Sequence, residues 1–217
     1  MAILWTFGDS FTIGFNPSVS DMIWREYYSK FKGYIPKDYT QLLSDYLGYE
    51  LCNLADDGSS NIMMFERFCE NVKNIKQDDI IIFGWSELTR FRLVNKNGGW
   101  HTMGTWCFDH AEILDDIEYV SPNTVNEILL HRINYIEHMS NEVNNWINLI
   151  NYTLKNNMVL HWTPFNQPKL YAENLYELNT IKSETNGVLN NEHFSELGHF
   201  QLFEHFKNRI NGTSKII

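Results

Sequence analysis

Cysteine is scarce in this sequence: three residues in 217, at Cys52, Cys69 and Cys107. An odd, widely spaced set argues against a disulfide framework and for reduced thiols in a cytoplasmic setting. Long apolar runs are missing as well. None approaches the ~20 residues that a bilayer span requires, and the first β-prone segment starts at residue 2, which leaves no room for a three-part signal peptide. A membrane partner is therefore not expected. Positive charge is the minor sign, with 17 Lys and Arg against 27 Asp and Glu and a net charge of −10. No basic cluster offsets this, so phosphate backbones are repelled and nucleic acid is excluded as a direct partner. Internal repeats, heptad arrays and low-complexity linkers are also lacking, and residues 1–217 read as one domain.

What is present is a rhythm of short apolar runs alternating with helical spacings. Hydrophobic residues at 43% and charged ones at 20% are ordinary globular proportions. Aromatic residues reach 15%, more than the periodic segments absorb, so some are expected to line a surface or cleft. Ile3 to Phe7 reads as a strand. A helix from Tyr39 to Leu47 is opened by Asp38 and closed by Gly48. Glu50 to Leu54 is a second strand, and Phe65, Phe68, Cys69, Val72 and Ile75 carry helical spacing. Ile80-Ile81-Ile82-Phe83 is a continuous apolar run, as in a strand buried on both faces. Pro122 and Asn123 start a helix expected to run unbroken to about Lys155. Met158 to Trp162 is a fourth strand, a fifth is expected near Val188, and a last helix starts at Ser195. Residues 88–121 interrupt the rhythm with a Gly-, Trp- and His-rich insertion, the form that lids and binding loops take. Alternation of strand and helix predicts an α/β fold, a parallel sheet covered by helices on both faces.

The residues able to carry chemistry fall at strand ends. Gly8-Asp9-Ser10 follows the first strand and precedes residues that can start a helix. In an open parallel sheet that turn lies at the carboxyl edge, where ligands bind. A serine there sits beside helix N–H groups that can stabilise an oxyanion; alternatively, Asp9 or Ser10 simply caps the helix. Ala55 to Asn61, with Gly58, forms a second such loop and Gly84-Trp85-Ser86-Glu87 a third. His193 lies just before the last helix. His101, Cys107 and His110 include a Cys-x-x-His spacing, but a loose trio without a fourth ligand does not make a metal site. No metal or cofactor is expected.

Set in order, Gly8-Asp9-Ser10-Phe11, Gly58, Gly84 and His193-Phe194-Ser195-Glu196-Leu197-Gly198-His199 resemble the four blocks of the SGNH (GDSL-like) hydrolases. The resemblance spans nearly the whole chain and is specific in the first and last blocks. It implies a three-layer α/β/α sandwich with a flavodoxin-like parallel sheet of about five strands, and a serine esterase working through an acyl-enzyme. Position by position, Ser10 is the implied nucleophile and His193 its base, with the N–H groups of Ser10 and Gly58 as oxyanion donors. Two positions depart from the family pattern. Ser86 stands where the family has an asparagine donor, so Asn61 or Arg90 is a candidate for the missing contact. Asn190 stands three residues before His193, in place of an aspartate. Asn190 can orient the ring through its side-chain oxygen, Glu192 can substitute, or the residue is an introduced change. The implied substrate is a small-molecule or carbohydrate ester, such as an O-acetyl group. An acyltransferase and a catalytically impaired binding or structural protein on the same scaffold are the alternatives.

Overall fold

A computed structural model describes residues 1–15, 26–105, 117, 120–167, 169–175, 177–187 and 192–213. Five strands form one parallel sheet: β1 (Ile3–Phe7), β2 (Glu50–Asn53), β3 (Ile80–Gly84), β6 (Met158–Thr163) and the two-residue β7 (Glu173–Asn174), in the order β2-β1-β3-β6-β7. Counting only these strands the order is 2-1-3-4-5, the flavodoxin-like arrangement. The register sets Leu4 against Ile80 and Phe7 against Phe83, and Gly84 against Trp162.

The period of two along each strand sorts the core into two halves. Trp5, Phe7, Ile81 and Phe83 face one side, where they meet Met64 and Phe68 of α3 (Asn61–Asn71) and Val143, Ile147 and Ile150 of α5 (Ile136–Thr153). Leu4, Ile80 and Ile82 face the other, against Tyr39 and Leu43 of α2 (Tyr39–Leu47) and Leu202 and Phe206 of α6 (Glu196–Thr213). The fold is thus a three-layer α/β/α sandwich. All five residues of β3 are buried, as a central strand covered on both faces requires.

Helix α2 starts where Asp38 accepts from the backbone N–H groups of Thr40 and Gln41, with the Gln41 side chain reciprocating, and it stops at Gly48 in the left-handed conformation (φ 68°). The helix expected from Pro122 to about Lys155 is instead two. Helix α4 (Pro122–Asn134) ends at Tyr135, whose backbone (φ −114°, ψ 31°) leaves the helical region before α5 begins. Ile133 lies beside this break and is exposed, while Leu129 is fully buried. The insertion contains a two-stranded antiparallel hairpin, β4 (Phe91–Val94) with β5 (Trp100–Met103). The fifth strand of the sheet lies at Glu173–Asn174, and the stretch near Val188 is outside the described residues.

Candidate active site

The strand order reverses between β1 and β3, and a crevice at that switch point is where open α/β sheets bind ligands. The turn after β1 leads directly into α1 (Ser10–Ile13), a single helical turn capped by Asp9, whose Oδ1 accepts from the Phe11 N–H at 3.1 Å. Ser10 Oγ lies 2.7 Å from His193 Nε2. These residues are 183 positions apart, yet the fold holds them at hydrogen-bond distance. The His193 ring stacks on Phe11, with ring centroids 4.7 Å apart.

His193 is held through its own carbonyl and through the residues that follow it. Its carbonyl accepts from the Ile181 N–H at 2.8 Å, Phe194 bridges Thr180, and the Ser195 N–H donates to the Asn179 carbonyl. One turn later, Tyr28 Oη accepts from the Glu196 N–H at 2.9 Å and donates to Glu184 at 2.6 Å. Lys32 closes this network by pairing with both Glu184 and Glu196. Burial raises the Tyr28 hydroxyl well above the ordinary tyrosine range, and the Glu184 carboxylate adds to the effect.

Beneath the serine, Asp9 is fully buried and draws three loops together. Its Oδ2 accepts from Ser86 Oγ at 2.9 Å and from Arg90 Nη1 at 3.0 Å. The same Arg90 nitrogen donates to the Ser59 carbonyl at 3.2 Å, which ties in the loop that carries Gly58. Asn61 brackets Ser86, accepting from its backbone N–H at 2.7 Å and donating to its carbonyl at 3.0 Å. The hydroxyl proton of Ser86 therefore goes to Asp9, and both amide atoms of Asn61 go to the Ser86 backbone. Arg90 pairs with a buried carboxylate. Gly58 has φ 64°, the left-handed region that favours glycine, and a Cβ added there would meet no atom within 4 Å. No described residue accepts from the backbone N–H of Ser10 or of Gly58.

Glu192 is exposed, and its carboxylate lies 3.8 Å from Lys182. Asn190 lies outside the described residues, as do Cys107 and His110; among the described residues no group of three or more His, Cys, Asp or Glu could hold a metal. One participant, Gln167, escapes sequence reasoning. Gln167 donates to the Ser86 carbonyl at 3.1 Å and accepts from the Leu88 N–H, and nothing near it in sequence signals that role. His199 is buried on the helix after His193, its Nδ1 facing the Tyr39 N–H at 3.5 Å; burial pushes it down to about 3, with His193 contributing.

No protein-family model matches this sequence, and no curated protein does. Among solved structures, the chain is similar to a protein assigned to the G-D-S-L lipolytic family from Desulfitobacterium hafniense, at 13% identity and a TM-score of 0.39, covering 96% of this chain and 99% of that one. It is similar to a catalytic mutant of the acetylxylan esterase Axe2 from Geobacillus stearothermophilus, at 14% identity and a TM-score of 0.40, covering 96% and 94%. It is also similar to a lipase/acylhydrolase from Enterococcus faecalis, at 12% identity and a TM-score of 0.38, covering 98% and 97%. Identities and scores this low transfer none of those proteins' chemistry to this chain.

Proposed function

We propose that this chain is a serine ester hydrolase. The observation that carries the reading is the 2.7 Å contact between Ser10 Oγ and His193 Nε2 at the carboxyl edge of the sheet. A serine hydroxyl is a weak nucleophile until a base removes its proton, and an imidazole nitrogen at this distance is the required partner. Ser10 Oγ attacks the ester carbonyl while its proton passes to His193 Nε2. The negative charge that forms on the carbonyl oxygen is met by the backbone N–H groups of Ser10 and Gly58. Collapse expels the alcohol, which takes the proton from His193, and leaves an acyl group on Ser10. Water, deprotonated by His193, then releases the acid. Asp9, Ser86, Asn61 and Arg90 act as positioning residues that hold the Ser10, Gly58 and Ser86 loops together. The substrate class proposed is a small or carbohydrate-borne ester, such as an O-acetyl ester.

The test is labelling with a fluorophosphonate probe, mapped by peptide mass. An adduct at Ser10 that is lost in His193→Ala is expected, with Ser10→Ala lowering hydrolysis of p-nitrophenyl acetate by roughly 10³-fold or more. Absence of labelling would sink the reading. Asparagine at position 190 favours a second reading, a binding protein on a decayed scaffold, since a neutral residue cannot stabilise an imidazolium. Asn190→Asp separates the two. A silent protein that gains labelling had lost its acid, and one that stays silent is a binder.

A further inference from the structure

Beside Arg90, a cleft of about 230 Å³ opens between α3, β4 and α5. Its walls are of two kinds. Ile62, Phe91, Met139, Val143 and Trp146 supply an apolar lining, and Trp146 is held in place by stacking on Phe65 with ring centroids 5.2 Å apart. The polar part is cationic: Arg90, Arg92 and Arg132 all reach it, opposed by Glu142. Two of these arginines are committed to carboxylates, Arg90 to Asp9 and Arg92 to Glu66 through both terminal nitrogens.

Arg132 is different. Its Nε donates to the Thr89 carbonyl at 2.8 Å, and Nη2 donates to the Leu88 and Arg90 carbonyls, each at 3.1 Å. These bonds fix the plane of the guanidinium without neutralising it. Among the described residues no carboxylate lies within ion-pair distance of Arg132, and nothing accepts from its Nη1. Glu142 acts on it only from longer range. A half-buried, pre-oriented cation at one end of an apolar cleft matches an amphiphilic anion. Guanidinium groups prefer planar oxyanions, and the lining prefers hydrocarbon. The volume falls below the ~300–1,000 Å³ of sites for drug-sized ligands, so the ligand is small.

We propose that this cleft binds a small apolar carboxylate, its carboxylate on Arg132 and its hydrocarbon body against Met139, Val143 and Trp146. Asn61 and Arg90 border both this cleft and the Ser10 site, but neither Ser10 nor His193 lines the cleft, and binding there does not depend on Ser10 being a nucleophile. An acid in the cleft would touch the same Arg90 that holds Asp9.

The experiment is calorimetric titration of the purified chain with benzoate and with benzamide, its uncharged counterpart. Benzoate should saturate one site, with benzamide about tenfold weaker, the factor expected for loss of one charge-assisted hydrogen bond. Glu142→Gln, at an exposed position, should tighten benzoate by about threefold. Arg132→Gln should weaken it by about tenfold or more. Ser10→Ala should bind benzoate as the parent does. Equal affinity for acid and amide, no saturable binding, an unchanged Glu142→Gln variant, or loss of binding in Ser10→Ala would each overturn the proposal. The last would move the acid to Ser10.

Discussion

At the scale of single residues, the pair to examine is Asp9 with Arg90. The carboxylate is inaccessible and the guanidinium nearly so, with side-chain exposures of 0% and 8%. A buried ion pair contributes little beyond a well-packed apolar substitute, but removing one partner strands the other charge at a cost of about 3–5 kcal/mol. Arg90→Ala is therefore expected to lower stability by roughly that amount, measured as a shift in urea unfolding. If Arg90 instead only contacts substrate, the variant would unfold at the parental urea concentration and show a higher KM alone. In the sequence the Gly-Asp-Ser turn is marked by a glycine and a hydroxyl directly after an apolar run, and His193 by the resemblance of the block around it to the family's last one. The positions of Ser86 and Arg90 were not. Each had several carboxylates or carbonyls to choose from, and only the fold decides that both meet Asp9.

At the scale of elements, Thr12 explains why glycine follows β1 and ends β3. A Cβ on Gly84 would lie 2.2 Å from Thr12 Oγ1, and one on Gly8 would lie 2.1 Å from the same atom. The turn of α1 thus inserts a hydroxyl between the ends of β1 and β3, and neither position can carry a side chain. Gly84→Ala is expected to cost about 1–3 kcal/mol. In a Thr12→Ala background the penalty should shrink, giving a coupling of about 0.5–3 kcal/mol in a double-mutant cycle. Strictly additive values would refute the contact. Element boundaries followed the sequence wherever a cap or an apolar run marked them, as at Asp38, Gly48 and Ile80 to Phe83. The break at Tyr135 carried no such mark. Its flanks, Arg132-Ile133-Asn134 and Ile136-Glu137-His138, all tolerate a helix, and what sets α4 apart is tertiary packing, its Val125 and Leu129 clustering with Phe91, Leu93 and Met103 of the hairpin while α5 packs on the sheet. The β4–β5 hairpin was hidden for a similar reason, since Trp100, His101 and Thr102 alternate too weakly to signal a strand.

At the scale of the whole molecule, one partly buried histidine, His161, and one buried histidine, His199, tie stability to pH. Burial pushes His161 down to about 4 and His199 to about 3. His161 is fixed between Trp85 Nε1, which donates to its Nδ1 at 3.1 Å, and Asn151 Oδ1, 3.0 Å from its Nε2. The unfolded chain protonates both below about pH 6.5, whereas the folded chain resists until the depressed values are reached. Their contribution is complete above pH 6.5 and drains as pH falls toward 4 and 3, by roughly 1.4 kcal/mol per pH unit for each histidine. The urea midpoint should fall between pH 7 and pH 5, and His161→Gln should flatten that slope by about one proton. A midpoint independent of pH over this range would contradict the assignment. The same window approaches the sequence pI of about 5.2, where vanishing net charge favours association, so turbidity and unfolding are expected to rise together.

The parallel sheet also sets a timetable for a chain emerging from the ribosome. β3 takes its partner β6 from 78 residues downstream, by the pairing of Ile80 with Met158. At ~5–20 residues per second, one edge of Ile80 to Phe83 stays open for roughly 4–15 s during synthesis. Lys76, Asp78 and Asp79 stand immediately before that run, charged residues of the kind that discourage a nascent apolar strand from pairing with a neighbouring chain.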